Sequence, residues 1–210
     1  MITPLEKIEI ELLLTAIKKH YDYDFSNYAA ASLRRRIHKS AEEMGLTKIS
    51  QLIPVLLHER EKFNHFLSNL SVPVTEMFRN PLCFKKLREE VLPYLKTFAF
   101  LKVWHAGCAT GMEVYSLAIM LQEENLYKRT SIYATDYSNQ AIDIAKEGIY
   151  SLAEMKNYSK NYQLSGGSHS LADYFHVNYR SVKLNRDLLQ NVTFANHNLV
   201  SDSSFSEVNL

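Results

Sequence analysis

The stretch VWHAGCATGMEVYS, from Val103 to Ser116, constrains this chain more than any other. An apolar run, FLKVW, precedes two glycines, Gly107 and Gly111, and the helical pattern EVYSLAIML follows. A strand that turns on glycine into a helix belongs to a parallel sheet wound with helices, because parallel strands need crossover connections. The surrounding pattern agrees. TSIYATD reads as a second strand, SNQAIDIAKEGIY as a second helix and NVTFANHNL as a third strand, while FSEVNL looks like the start of a fourth. PLCFKKLREEVLPYL reads as a helix ending near Pro93, and the stretch 151–185 breaks the rhythm. Its SGGS and the alternating YFHVNYRSVKL suggest an inserted antiparallel piece with a loop.

Residues 1–70 read as helices only. Thr3 is the expected N-cap of the first, with Pro4 at its first position and Glu6 closing a capping box. Leu5, Ile8, Leu12, Ala16 and Lys19 trace one face, apolar until its end. DFSNYAAASLRRRIHKSAEEMG gives a second helix stopped by Gly45, and ISQLIPVLLHE and REKFNHFLSNLSV give two more. The fold class is therefore α/β: a helical domain at 1–70, a linker at 71–84, and a Rossmann-like domain at 85–210 that carries the small insert.

Composition narrows the function classes. A hydrophobic content of 46% fills a core, and a net charge of +1 gives no global field toward nucleic acid or a membrane surface. The apolar runs fall far below the ~20 residues of a membrane span. The N-terminus lacks the pattern of a secretory signal, and Cys83 and Cys108 make neither a disulfide framework nor a metal knuckle, so a reducing cytoplasm is the default. No metal site is expected.

Ligands of wound sheets bind where the loops leave the carboxyl ends of the strands. Gly107 and Gly111 let backbone approach a ligand without a Cβ between, and the helix near Glu113 offers free N–H groups. The G-x-x-x-G spacing does not favour a pyrophosphate. Asp136, at the end of the second strand, is placed to accept both hydroxyls of a ribose. A ribose-bearing cofactor with little or no phosphate fits best, S-adenosylmethionine above all; a tight turn with a strand-end cap is the alternative.

SVPVTEMFRNPLCF, VWHAGCATGMEVYSLAI, IYATDYSNQAIDIAKEGIY and VTFANHNL together resemble the CheR-type chemotaxis protein methyltransferases, in order and spacing, across most of the chain. The resemblance implies methyl transfer from S-adenosylmethionine to glutamate side chains of chemoreceptors. It implies that Thr75 and Arg79 lie where the linker passes the cofactor, with Arg79 acting on the substrate carboxylate. It further implies cofactor contacts from Glu113, Asp136, Asn198 and Leu199. Pro73 stands where the family often has Asn, and Met112 replaces a common Glu or Gln. A family strand resembling C-R-N-V-x-I-Y-F has no counterpart here, so the sequence reads as a fragment or a truncated protein, monomeric when complete and prone to association when cut. A degenerate receptor-docking module is the rival reading.

The run SLRRRIHK places Arg34, Arg35, Arg36, His38 and Lys39 on one helix, with Leu33 and Ile37 sharing its buried side. A solvated basic face is the plain reading. The resemblance adds a function for Arg34, Arg35, His38 and Lys39, steering a receptor helix that carries clustered glutamates. Nucleic acid is disfavoured, because no aromatic platform interleaves the basic residues.

Overall fold

The computed structural model describes residues 2–25, 28–70, 75–199, 202 and 207–210. Pro73 lies outside them. The chain divides into two units, Met1–Val72 and Pro73–Leu210.

The first unit is helical: α1 (Pro4–Tyr21), α2 (Ala30–Glu43), α3 (Leu52–His58) and α4 (Arg60–Leu70). Thr3 caps α1, its hydroxyl accepting from the Glu6 N–H, with Pro4 at the first helical position. The Glu6 side chain does not close a capping box; it turns to Arg34 and His38 of α2. The buried side of α1 is Leu13 and Ile17, while Leu5, Ile8 and Leu12 are exposed. The helix carries two apolar stripes, and packing against α3 selects the one the sequence reading passed over. The second helix begins at Ala30, later than expected, and ends where the Gly45 and Leu46 N–H groups return to the Glu42 and Ala41 carbonyls.

The second unit opens with α5 (Pro81–Lys86), a π turn (Leu87–Val91) and α6 (Leu92–Leu95). The helix ends at Leu95, near Pro93 as expected, with the proline inside its last turn. Proline cannot donate to the carbonyl four residues back. The widened turn, in which the Leu92 N–H reaches the Leu87 carbonyl, absorbs the defect. Then come β1 (Leu101–Ala106), α7 (Met112–Glu123), β2 (Thr130–Asp136) and α8 (Asn139–Glu147). The insert follows as β3 (Ile149–Ser151), α9 (Met155–Leu164), β4 (Phe175–Asn178) and β5 (Ser181–Leu184), and β6 (Val192–Asn196) resumes the main sheet. The main sheet is parallel in the order β1-β2-β6, and the small one is antiparallel in the order β3-β5-β4. The insert therefore starts two residues earlier than 151 and contains a helix, α9, that the sequence reading lacks.

Residues 207–210 form no strand, contrary to the expected fourth one. They lie along the free edge of β1: the Asn209 N–H donates to the Lys102 carbonyl at 2.8 Å and the Trp104 N–H to the Leu210 carbonyl at 2.9 Å. The Lys102 N–H is taken by the Asn209 side-chain oxygen instead of a backbone carbonyl, which breaks the ladder.

The core of this unit sits between one sheet face and α7. Leu101, Val103, Ile132 and Ala134 pack with Val114, Tyr115, Leu117, Ala118 and Leu121, all buried. A helix apolar all round is a buried helix, and α7 is buried from Met112 to Leu121 apart from Glu113. Each buried Val, Leu or Ile side chain among them is worth about 1.5–3 kcal/mol, so the start of α7 is a rigid base for the turn before it.

Candidate functional site

The parallel register brings the ends of β1, β2 and β6 to one rim: Ala106 faces Thr135 and Asp136 faces Asn196. Gly107, Asp136, Asn198 and Leu199 all follow or end these strands. The Gly107 and Cys108 N–H groups both donate to the Thr135 carbonyl at 2.8 Å. Asp136 is buried. Its two oxygens accept from the Ala109 N–H at 2.8 Å and the Ser138 N–H at 2.9 Å, tying the two strand-end loops together. An ionised carboxylate has about four acceptor positions, and among the described residues these two N–H groups take two of them. Burial, and then the Asp136 charge, push the Cys108 thiol up to about 12, so it stays protonated and inert.

The two glycines differ. Gly107 has φ +82°, and a Cβ built on it meets nothing within 4 Å. Gly111 has φ +84°, and its Cβ would stand 2.7 Å from the Ala145 Cβ of α8. Gly107 leaves open space at the strand end. Gly111 lets α7 begin against α8.

A cavity of about 280 Å³ opens beside this turn. Arg79 and Glu113 both line it, with Asn80, Cys83, Phe84, Trp104, His105 and Leu210 among their neighbours. Glu113 stands in the first turn of α7, and its Oε1 lies 3.2 Å from His105 Nδ1. The hydrogen bond from His105 holds the Glu113 carboxyl below its ordinary range; burial opposes this, and the charges of His105 and Arg79 add to it. Gly107, Asp136, Asn198 and Leu199 belong to the strand-end rim rather than to the walls of this cavity. Asn198 is half-buried, with its N–H on Asp202 at 2.8 Å, and Leu199 is exposed. Thr75 is half-buried at the head of the Arg79 segment.

That segment is strained. Phe78 and Asn80, on either side of Arg79, have φ of +53° and +55°. Asn tolerates this region, but a bulky Phe there is a genuine outlier. Three contacts hold it. The Phe78 ring is fully buried, edge-on to Phe84 and Tyr162. Its N–H donates to Ser116 Oγ at 2.9 Å, while the same hydroxyl donates to the Met112 carbonyl at 2.8 Å. The Asn161 amide of α9 donates to the Met77 carbonyl at 3.2 Å. Strain of this kind, of order 1–3 kcal/mol, persists only where the surroundings overdetermine it. Sequence reasoning missed Phe78, Ser116, His105 and Asn161; only the spacing of Ser116, one helical turn after Met112, hinted at a role.

In the helical unit the basic run is largely committed to structure. Arg34 Nε and His38 Nε2 converge on Glu6 Oε1 at 2.5 and 2.6 Å, and Arg36 Nη1 donates to the Asn69 carbonyl at 2.9 Å. Lys39 lies 3.5 Å from Glu43, an exposed i,i+4 pair. Arg35 is exposed on the outer face of α2. Among the described residues no three His, Cys, Asp or Glu side chains are grouped to hold a metal, and no helix is long and apolar enough to cross a membrane.

A parallel sheet with a glycine turn, an open strand-end space and a carboxylate closing the second strand defines a Rossmann-like domain built for an adenosine-bearing cofactor. Residues 73–210 match the family model described as "CheR methyltransferase, SAM binding domain", and residues 8–71 match "CheR methyltransferase, all-alpha domain". The chain belongs to the CheR methyltransferase family, and its cofactor is S-adenosylmethionine. It is 47% identical over 203 residues to the "Putative methyltransferase Cher3" of Pseudomonas putida, covering 97% of this chain and 74% of that one. It is 27% identical to the "Chemotaxis protein methyltransferase" of Listeria monocytogenes, over 76% of this chain and 62% of that one. The protein of the same name in Escherichia coli is 25% identical, over 58% of this chain and 43% of its own.

Proposed function

We propose that this protein methylates glutamate side chains of a chemoreceptor's cytoplasmic domain. The observation that carries the reading is Arg79 and Glu113 in one cavity beside the open space of Gly107. The relatives named as chemotaxis protein methyltransferases support it. Bound S-adenosylmethionine supplies a methyl group on a sulfonium, which a carboxylate can attack directly. Asp136 takes the ribose hydroxyls on its remaining acceptor positions. Asn198 and Leu199 flank the adenine, and Thr75 and Glu113 close the other end. Arg79 fixes the incoming glutamate by two parallel hydrogen bonds, a geometry that suits a planar carboxylate. A glutamate is ionised at neutral pH and needs no general base, so alignment carries the rate.

Residues 71–84 serve as the linker that delivers Arg79. With Arg34 and His38 engaged by Glu6, Arg35, and Lys39 beyond its weak exposed pair, carry the steering of an acidic receptor helix. The test is methyl transfer from labelled S-adenosylmethionine to a receptor cytoplasmic fragment, beside calorimetric binding of S-adenosylhomocysteine. Arg79→Ala is expected to lower transfer far more than cofactor binding. Equal losses in both would remove Arg79 from the substrate. Normal cofactor binding by the unaltered chain with no transfer to any receptor would make it a docking module.

A further inference from the structure

His105 occupies the penultimate position of β1, with its side chain 8% exposed. Nδ1 lies 3.2 Å from Glu113 Oε1. Nε2 is out of solvent and, among the described residues, has no hydrogen-bond partner. These two facts fix the proton. A carboxylate accepts and cannot donate, so the ring nitrogen facing it carries the hydrogen. An N–H on Nε2 would be buried with nothing to receive it, which is costly. The hydrogen between the two side chains therefore sits on Nδ1.

Glu113 is the looser partner. Its side chain is 60% exposed, and among the described residues its direct hydrogen bond is the one from His105. Arg79 acts on it through charge. An exposed glutamate in the first turn of a helix samples several rotamers unless something selects one. The stiff imidazole, anchored on a core strand, can do so. We infer that His105 is a positioning residue: its Nδ1–H pins one oxygen of Glu113 and leaves the other aimed at the cationic part of the ligand in the cavity. This rests on the reading of the cavity as part of the cofactor site. In S-adenosylhomocysteine the only cation is the α-ammonium, which makes that compound the suitable probe.

The test uses the full chain, S-adenosylhomocysteine and three replacements. The amide nitrogen of Asn reaches the place of Nδ1, that of Gln the place of Nε2, and Leu offers neither. His105→Asn is expected to bind within about threefold of the unaltered protein, and His105→Gln and His105→Leu about 10- to 100-fold more weakly, the loss of one hydrogen bond to a charged group. Melting curves identify any variant that fails to fold. Glu113→Gln separates the two readings. If it binds as the unaltered protein does, the cofactor role of Glu113 fails; if it binds weakly while His105→Leu binds normally, the positioning role fails. A measurement without substitution stands beside these: long-range proton–nitrogen correlation spectra of the folded chain should show His105 protonated on Nδ1. A ring carrying its proton on Nε2 would overturn the inference.

Discussion

Replacing each glycine of the turn by alanine separates packing from ligand space. Both positions have a left-handed backbone, near φ +82° and +84°. Holding an alanine there costs about 1–2 kcal/mol. At Gly107 that is the whole cost, because the new methyl enters open space. At Gly111 the methyl would stand 2.7 Å from the Ala145 Cβ and 3.2 Å from its Cα, a backbone atom that cannot swing aside. Overpacking of that kind adds about 1–3 kcal/mol. Gly107→Ala should therefore lose about 1–2 kcal/mol of stability and Gly111→Ala about 2–5 kcal/mol, read from urea unfolding with the slope unchanged. Affinity should rank the other way. Gly107→Ala places a methyl in the open space proposed for the ligand and should weaken S-adenosylhomocysteine binding well beyond its stability cost, whereas Gly111→Ala, at temperatures where it is folded, should bind more nearly as the unaltered protein does. Gly107→Ala with unchanged affinity would show that the open space beside it is not ligand space. A Gly111→Ala chain as stable as Gly107→Ala would refute the packing account of the second glycine.

Further expectations concern single side chains. Ser116→Ala leaves the buried Phe78 N–H without an acceptor and should cost about 1–3 kcal/mol; it should also lower methyl transfer through Arg79, and an unchanged turnover would detach the strained segment from the chemistry. Asp136→Ala should weaken S-adenosylhomocysteine binding by about 1–3 kcal/mol, and should also lower the unfolding midpoint, because the Ala109 and Ser138 N–H groups lose their acceptor. The Glu6 carboxyl is held at about 2, against 4.5 unperturbed, by its hydrogen bonds from Arg34 and His38. A pKa lowered by folding stabilises above the unfolded value and is lost as pH falls through the folded one, so stability should decline between about pH 4.5 and 2, and Glu6→Gln should flatten the urea midpoint across that window. Arg35→Glu should change stability by less than about 0.5 kcal/mol yet slow receptor methylation, with the deficit shrinking at high salt; equal rates at low salt would leave Arg35 as plain surface.

What the sequence disclosed follows from the range of the interactions involved. The strands, α7, α8 and the turn between β1 and α7 are local patterns of periodicity and glycine, and the parallel order follows from their alternation. The buried side of α1 is not local. Two apolar stripes compete there, and α3, more than thirty residues away, chooses Leu13 and Ile17. Glu6 has the spacing of a capping box, but the Arg34 guanidinium and a hydrogen bond with His38 win it. Both glycines of the turn look alike until Ala145 of α8 is placed beside one of them. The left-handed Phe78 has no signature at all: it exists because Ser116 and Asn161, from two different helices, grip the backbone around it. Arg79 and Glu113 were singled out through resemblance to a family and line one cavity, whereas nothing local in the sequence pairs His105 with Glu113.

One side chain of the rim has a practical value of its own. Trp104 is the single tryptophan, among 13 tyrosines. Its indole N–H is bonded to Thr135 Oγ1 at 2.9 Å, next to Asp136, and its ring meets His197 edge-on, just beyond β6. It also lines the cavity that holds Arg79 and Glu113. All three strand ends thus converge on one fluorophore, half exposed to water. Excited at the red edge, where tyrosine is dark, the protein emits from the rim alone, and occupancy of the site can be followed by the colour and intensity of that light with no label attached.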